Sequence, residues 1–256
     1  MITLKGTTLN VWNAFLSRQS KGTGCEDRIS YTRYGNTGYL NACSFDAKAK
    51  GKYSLDSIKY KIDRIFKQIS QDGVQKLVID VSQNEGGNSS VGDYLISFFY
   101  DRPYKDYQCN WKKSEEYYKL LKSWGFDKPD YTAAANGQVL HYPSETVTPA
   151  KVPYLFKGKV MVVIGAATFS SAMNFATVIR DNHMATLIGQ TPVNGHPNGF
   201  GEMYYTNLPN TKVFVRFGVK EWIRPAGKTG ENILRPDIIL TQAQLSSVKE
   251  MIKKTE

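Results

Sequence analysis

The chain has 256 residues, of which 41% are hydrophobic and 22% charged, and its formal net charge is +10 at pH 7. This composition excludes a disordered tail and suffices for the core of one large α/β domain. The basic residues are scattered, without a zinc finger or a basic recognition helix, so nucleic acid is not an expected partner. The longest apolar runs, such as residues 160–164, are too short to cross a bilayer, so no transmembrane segment is expected.

The cysteines leave the redox state open. Cys25, Cys43 and Cys109 are widely spaced, and no CxxC pair occurs. One disulfide and three buried thiols both fit this pattern. A zinc site would need more ligands at short spacing. Neither a metal nor an organic cofactor is expected.

The first elements in chain order are a hairpin and a long helix. Residues 1–27 form an N-terminal segment in which residues 9–16 fit a short helix. Two β-prone runs, residues 28–34 and 39–45, flank a Gly- and Asn-containing turn and predict a hairpin. Residues 54–71 carry apolar side chains at helical spacing, which predicts an amphipathic helix.

The remaining pattern predicts strands that alternate with helices on a largely parallel sheet. Residues 101–150 are rich in Tyr, Lys and Pro and are interpreted as an insertion with one helical piece at 114–121. The other predicted elements are strands at 76–82, 159–165 and 185–189, helices from Ser89, at 168–180 and at 242–254, and a second hairpin formed by 202–208 and 212–217.

Two turns after buried strands carry residue types suited to acyl transfer. In the first, Gly86 and Gly87 allow a backbone N–H to approach a ligand closely, although a tight turn alone also explains them. In the second, Ser170 and Ser171 lie in the first turn of a predicted helix, where the dipole favours developing negative charge. Ordinary helix capping explains these serines equally well.

A third turn, within residues 189–201, is dense in Gly and Pro and contains His196. Histidine is the side chain best suited to accept a proton near neutral pH. An exposed loop histidine without a role is the simpler alternative.

Together, and in this order, the three turns resemble the C-terminal processing, or tail-specific, serine peptidase family over about residues 38–239. The resemblance implies an α/β fold with a Clp-protease/crotonase-like layered core and flanking β-hairpins. Residues 28–256 would form this peptidase-like domain, including the insertion at about 101–150, and no room remains for a separate PDZ module. A polypeptide substrate is implied, and the oligomeric state stays open.

By position in the family motif, Ser170 is the nucleophile. Ser171 would contribute its backbone N–H to the oxyanion hole, together with Gly86 or Gly87. Spacing to the rest of the motif favours Ser170 over its neighbour.

Two positions depart from the family pattern. Many members use a lysine as general base just before a proline, where this chain has His196. Ser82 stands where an arginine is often found. His196 therefore implies either a Ser–His pair, oriented by the polar residue Asp181, or a loss of activity.

Two alternatives to a serine endopeptidase remain. One is a catalytically inactive member that binds peptides in the same cleft, and the other is a crotonase-like acyl-CoA enzyme. The aromatic side chains of residues 101–150 would line a peptide groove or form a local core. Many members are exported, which suggests an extracytoplasmic domain whose targeting segment is not in this sequence.

Overall fold

A computed structural model of the chain describes Cys25, residues 27–228 and residues 230–254, so the helix expected within residues 9–16 lies outside it. The strands are β1 (Ile29–Tyr34), β2 (Thr37–Ala42), β3 (Lys76–Asp80), β4 (Tyr104–Lys105), β5 (Gln108–Lys112), β6 (Val139–Tyr142), β7 (Thr146–Val147), β8 (Lys159–Ile164), β9 (Thr186–Gly189), β10 (Gly199–Asn207), β11 (Phe214–Ile223) and β12 (Ile238–Ile239). The helices are α1 (Leu55–Asp72), α2 (Ser89–Ile96), α3 (Glu115–Ser123), α4 (Pro129–Ala133), α5 (Ser171–Asp181), α6 (Gln242–Leu245) and α7 (Val248–Lys253).

The main sheet has the strand order β1-β2-β3-β8-β9-β12. Strand β1 pairs antiparallel with β2, and every other neighbouring pair is parallel. Helices α1 and α5 make the crossovers from β2 to β3 and from β8 to β9. The predicted first hairpin and the predicted parallel α/β core are both confirmed.

Helix α1 forms where the apolar periodicity predicts it. The Ser54 hydroxyl accepts the N–H of Ser57 at 3.2 Å and caps the first turn, while Gly73 ends the helix with φ 62°. A left-handed residue at this position is accessible to glycine at little cost. The side chains that face the sheet are all buried: Ile58, Ile62, Ile65, Phe66 and Ile69.

Strand β3 is buried on both faces, as its nearly continuous apolar run predicts. Leu77 and Ile79 join the larger core, which also contains the inner faces of α1, α2 and α5. Val78 points the other way, into a smaller core that Met251 of α7 helps to close. The main sheet is therefore covered by helices on both faces.

The segment 101–150 contains more structure than the single helical piece expected from its sequence. It includes α3, α4 and four short strands, and β5 and β6 extend the β10–β11 hairpin into a second sheet of order β10-β11-β5-β6. Pairing to β11, more than 100 residues away, explains why local periodicity did not indicate β5. Its aromatic side chains make a local core, with the Trp111 and Tyr131 rings 4.2 Å apart and Tyr117 packed beside them.

Two predicted helices have different ends in the structure. The helix expected to begin at Thr168 begins at Ser171, because Ser170 adopts a positive φ of 51° that a helix cannot contain. The terminal helix is broken into α6 and α7, where the Ser247 hydroxyl accepts the N–H of Glu250 and starts a new helix. The second hairpin is longer than predicted at both strands.

Cys25 and Cys43 form a disulfide with 5.7 Å between their Cα atoms, and Cys109 is a buried free thiol. Of the two states the sequence left open, the single disulfide is the one observed. Within the described residues, no helix is both long and apolar enough to cross a membrane. The same part of the chain contains no cluster of His, Cys, Asp and Glu side chains arranged to bind a metal.

Candidate active site

The three turns identified in the sequence meet at one edge of the main sheet. Because β2, β3, β8 and β9 are parallel, their carboxyl ends share an edge, and the connections that follow them lie side by side. The backbone N–H of Phe169, after β8, donates to the carbonyl of Asn84, after β3, at 3.0 Å. The glycine turn and the serine turn are therefore joined directly.

The glycine turn is organised around Asn84, which is completely buried. Its side-chain amide donates to the Ala42 carbonyl at 2.7 Å, and its Oδ1 accepts the N–H of Gly86 at 2.8 Å. A Cβ on Gly86 would lie 2.8 Å from Cβ of Ser170, and one on Gly87 would lie 2.2 Å from the backbone N of Asp46. Glycine is therefore required at both positions, because atoms of neighbouring residues pack directly against both α-carbons.

Ser170 occupies a strained backbone conformation, with φ 51° and ψ −125°, immediately before helix α5. Such a conformation costs a non-glycine residue about 1–3 kcal/mol and persists only where the surroundings enforce it. Thr168 helps to enforce it, because its buried hydroxyl donates to the Val81 carbonyl at 2.8 Å and accepts the N–H of Gly165 at 3.0 Å. Gly86, packed against Ser170 Cβ, supports it from the other side.

The two adjacent serines have different environments. The Ser171 hydroxyl donates to the Gly87 carbonyl at 2.7 Å, so this side chain ties α5 to the glycine turn. Ser170 is solvent-exposed, and its hydroxyl has no hydrogen-bond partner among the described residues. The hydroxyl free to react is therefore that of Ser170.

Two backbone amides near Ser170 are available to stabilise an anion. Within the described part of the chain, the N–H groups of Gly87 and Ser171 have no acceptor, whereas the N–H of Gly86 is used by Asn84. The Ser171 amide also belongs to the first turn of α5, where the helix dipole is positive. Of the two glycines considered from the sequence, Gly87 is the one whose N–H is free.

A cavity of about 520 Å³ opens beside Ser170. Its walls come from α2, α5, the segment before β5 and the second sheet. Its lining includes Asn88, Ser89, Asp93, Asp106, Tyr107, Ser170, Ser171, Asn174, Phe175, Val178, Glu202, Met203 and Trp222. This size is typical of a cleft that accepts a ligand.

The backbone around His196 reaches the rim of this cavity. A Cβ on Gly195 would lie 2.9 Å from the ring of Phe169, and the carbonyl of Pro197 accepts the hydroxyl of Tyr107 at 3.0 Å. The imidazole itself does not line the cavity. It is exposed, and its Nδ1 lies 2.8 Å from the carbonyl oxygen of Asn232.

Asp181 does not orient His196, contrary to the expectation from the sequence. Its carboxylate forms an ion pair with Arg224, with Arg224 Nε 2.9 Å from Asp181 Oδ2, and also accepts the N–H of Ala226. The two side chains are only 12% and 3% exposed, for Arg224 and Asp181 respectively. Both carboxylate oxygens are occupied, so Asp181 has a structural partner 43 residues away.

Sequence reasoning missed several residues of this region. The Asn232 side chain holds its own backbone in place, because it exchanges hydrogen bonds of 2.7 and 2.8 Å with the backbone of Asn198. The carboxylates of Asp93, Asp106 and Glu202, which line the cavity, were also not identified. No motif marks them, since they come from separate elements that only the fold brings together.

The sequence matches the model of peptidase family S41 over residues 36–240. No curated protein matches the sequence. A candidate peptidase of Parabacteroides merdae is similar in structure, with a TM-score of 0.62 and 17% identity over 88% of this chain and 64% of that protein.

Two further solved structures share the fold. Mature CPAF in complex with lactacystin has a TM-score of 0.62 and 17% identity, covering 89% of this chain and 53% of CPAF. The photosystem II D1 C-terminal processing protease has a TM-score of 0.56 and 14% identity, covering 89% and 52%. This chain thus spans about half to two thirds of the length of these proteins. With the family model matched over most of its length, the chain belongs to peptidase family S41, the C-terminal processing peptidases.

Proposed function

We propose that this chain is the catalytic region of a serine endopeptidase whose nucleophile is Ser170. The observation that carries the proposal is the combination found at this one residue. Its backbone is held in a strained conformation, its hydroxyl is free, and it stands at the mouth of a cavity and at the start of a helix. Strain of this kind concentrates at catalytic positions.

In the proposed reaction, Ser170 Oγ attacks the carbonyl carbon of the scissile peptide bond. The proton of the hydroxyl passes to Nε2 of His196, and the N–H groups of Gly87 and Ser171 stabilise the oxyanion. The C–N bond then breaks, and the leaving amine takes the proton from His196. Water then hydrolyses the acyl-enzyme. His196 accepts a proton from the attacking water and returns it to Ser170 Oγ as the ester bond breaks.

The contact between His196 and Asn232 supports the role of the histidine as a base. A carbonyl oxygen can only accept a hydrogen bond, so Nδ1 of His196 must carry the proton that it shares with Asn232. In the neutral ring, Nε2 then keeps a lone pair and can accept a proton. The carbonyl of Asn232 thereby takes the orienting role first expected of Asp181.

The proposal requires Nε2 of His196 to reach Ser170 Oγ in the substrate complex. Catalytic hydrogen bonds are often long before substrate binds and tighten only in the complex. Loop residues 190–198, which carry His196, contact Phe169, the residue next to the nucleophile.

The test is proteolysis of casein by the wild-type protein, Ser170→Ala and His196→Ala, each with its folding verified by circular dichroism. A fluorophosphonate probe, identified on its peptide by mass spectrometry, reports the nucleophile independently of the substrate. Cleavage that both variants lose, with labelling at Ser170, is the expected result. Cleavage that survives His196→Ala would refute the assigned base, and labelling at another serine would refute the nucleophile.

One observation favours a second candidate, a peptide-binding domain without activity. The imidazole of His196 lies outside the cavity that Ser170 borders. If wild-type protein neither cleaves casein nor reacts with the probe, binding of unfolded polypeptide in the cleft becomes the better-supported function.

The Cys25–Cys43 disulfide bears on where such a peptidase would act. Structural disulfides persist in oxidising surroundings and are rare in the cytosol. We therefore propose an extracytoplasmic location, with polypeptides as substrates.

A further inference from the structure

The cavity beside Ser170 has a charge opposite to that of the chain as a whole. The protein carries a formal net charge of +10, yet the described residues that line the cavity include Asp93, Asp106 and Glu202 and no lysine, arginine or histidine. The three acidic residues come from α2, the segment before β5, and β10. The fold therefore gathers three carboxyl groups in the cleft that the proposed nucleophile borders.

Two of these carboxylates are open to a ligand. Among the described residues, the carboxylate of Asp93 has no hydrogen-bond or ion-pair partner, and that of Asp106 accepts only the N–H of Tyr107 at 2.7 Å. Glu202 is different, since Lys220 Nζ lies 3.7 Å from its Oε1. Among the described residues, Asp93 and Asp106 are therefore the cavity carboxylates that have no cationic side chain at ion-pair distance.

The electrostatics of this pair favours the binding of a cation. Desolvation by the surrounding protein, and then the charge of Asp106, raise the pKa of the solvent-accessible Asp93 to about 7, against a partial lowering by Lys59. Burial also raises the pKa of Asp106. A cation placed between the two carboxylates would favour their ionised forms and relieve their repulsion.

The shape of the cavity suits a long side chain with an apolar stem. Asn174 and Val178 lie one turn apart on α5, which starts directly after Ser170, so the cavity floor extends about 12 Å from the nucleophile. Phe175 and Trp222 add apolar wall beside it. Lysine and arginine bury methylene stems against such walls and direct the charged end to a carboxylate.

We propose that this cavity receives the side chain of a lysine or arginine next to the scissile bond, with Asp93 and Asp106 as its counter-charges. The inference rests on the proposed function, because Ser170 must be the nucleophile for the cavity to border the scissile bond. It assigns a substrate class, polypeptides cleaved at basic residues, to that site.

The first experiment compares cleavage of quenched fluorescent peptides that differ at one position, lysine against norleucine and arginine against citrulline. Citrulline keeps the length of the arginine side chain, norleucine keeps the four-carbon stem of lysine, and both remove the charge. We expect kcat/KM to be at least tenfold higher for the basic member when it flanks the scissile bond. The ratio should fall to within about threefold of one in Asp93→Asn/Asp106→Asn.

The single variants Asp93→Asn and Asp106→Asn are measured beside the double variant, so that a folding defect in the double variant does not decide the outcome. Asp56→Asn is the matched control, because Asp56 is an exposed carboxylate on α1 outside the cavity. It should leave the lysine-to-norleucine ratio unchanged. Equal cleavage of both members of each pair, or a preference that survives both single variants and the double variant, would overturn the inference.

A second readout separates this inference from the proposed peptidase activity. Isothermal titration of Ser170→Ala with the same lysine and norleucine peptides measures the cavity without any chemistry. Tighter binding of the lysine peptide by tenfold or more, lost in the Asp93→Asn/Asp106→Asn background, supports the basic subsite even if wild-type protein cleaves nothing. Equal affinity for the two peptides rejects the subsite even if cleavage is observed.

Discussion

The hydroxyl of Ser171 donates to the carbonyl of Gly87, 2.7 Å away, and this contact separates the roles of two adjacent serines. This hydrogen bond holds the start of α5 against the glycine turn. Of the two serines, Ser170 is the one whose hydroxyl has no hydrogen-bond partner among the described residues. The backbone N–H of Ser171 stays available beside it. One residue thus supplies structure through its side chain and, in the proposed mechanism, an oxyanion donor through its backbone.

The first prediction compares alanine substitutions at these two serines. Ser170→Ala should lower kcat/KM for peptide cleavage by on the order of 10³-fold or more, because the nucleophile is removed. Ser171→Ala should keep measurable cleavage and lose about 1 kcal/mol of unfolding free energy with its hydrogen bond. Peptide kinetics and urea unfolding measure the two effects. Complete loss of cleavage in a folded Ser171→Ala, with activity kept in Ser170→Ala, would contradict the assignment.

The second prediction concerns the close approach at Gly87. In Gly87→Ala the new Cβ would lie 2.2 Å from the backbone of Asp46, at a φ of +135°, so the turn must move. We expect a loss of at least about 3 kcal/mol of unfolding free energy. Gly35→Ala is the control, since Gly35 has φ +58° and open space at its Cβ, and should cost only about 1–2 kcal/mol. Similar losses of unfolding free energy in the two variants would show that the close approach at Gly87 adds no cost of its own.

The third prediction tests the ion pair of Asp181 and Arg224. Asp181→Ala leaves the Arg224 guanidinium buried without its partner, which typically costs about 3–5 kcal/mol. Thermal unfolding should show a clear fall in Tm. Glu231→Ala removes a much more exposed partner, from Arg235, and should change stability far less. A normal Tm in Asp181→Ala, with cleavage abolished, would instead return Asp181 to the catalytic role expected from the sequence.

The fourth prediction follows from the raised pKa of Asp93. This pKa rises from the ordinary value of 3.8 to about 7 in the fold, although Asp93 keeps contact with solvent, chiefly because the protein around it in the cleft desolvates its carboxylate and then through Asp106, while Lys59 opposes the shift. Between these pH values the folded state holds a proton that the unfolded state has released, so stability falls as pH rises from about 4 to 7. Asp93→Asn should therefore stabilise the protein at pH 8 and have little effect at pH 4.

Urea unfolding of wild type and Asp93→Asn at these two pH values measures the difference. Asp106, the other acidic neighbour, is present in both proteins, and Tyr104 stays neutral at both pH values because burial raises its pKa above the ordinary value of 10. An equal difference at pH 4 and pH 8 would show that Asp93 does not titrate in this range.

The fifth prediction concerns the disulfide between Cys25 and Cys43. The bond closes a loop with a sequence separation of 18, and restricting the unfolded chain over such a loop is worth about 3 kcal/mol. Dithiothreitol should lower the Tm of the wild-type protein. Cys43→Ser should have the lower Tm already and show no further response to the reductant. An unchanged wild-type Tm after complete reduction would mean that the bond adds nothing to stability.

Local patterns in the sequence were sufficient for much of the fold. The apolar spacing of α1, its Ser54 cap and the short apolar runs of β3, β8 and β9 are all confirmed, because each depends on neighbours within a few residues. The order of the glycine turn, the serine turn and the histidine loop also indicated the family. These turns follow parallel strands, so they had to share one edge of the sheet.

Features that depend on contacts between residues far apart in the sequence were decided only by the tertiary structure. No local pattern could pair β5 with β11, assign Asp181 to Arg224 or bring Asn232 to His196, since each contact joins separate parts of the chain. The free hydroxyl of Ser170 and the acidic cavity beside it arise in the same way. Hydrophobic periodicity reports which face of an element is buried, whereas a site depends on which elements meet, and that is settled only when the whole core packs.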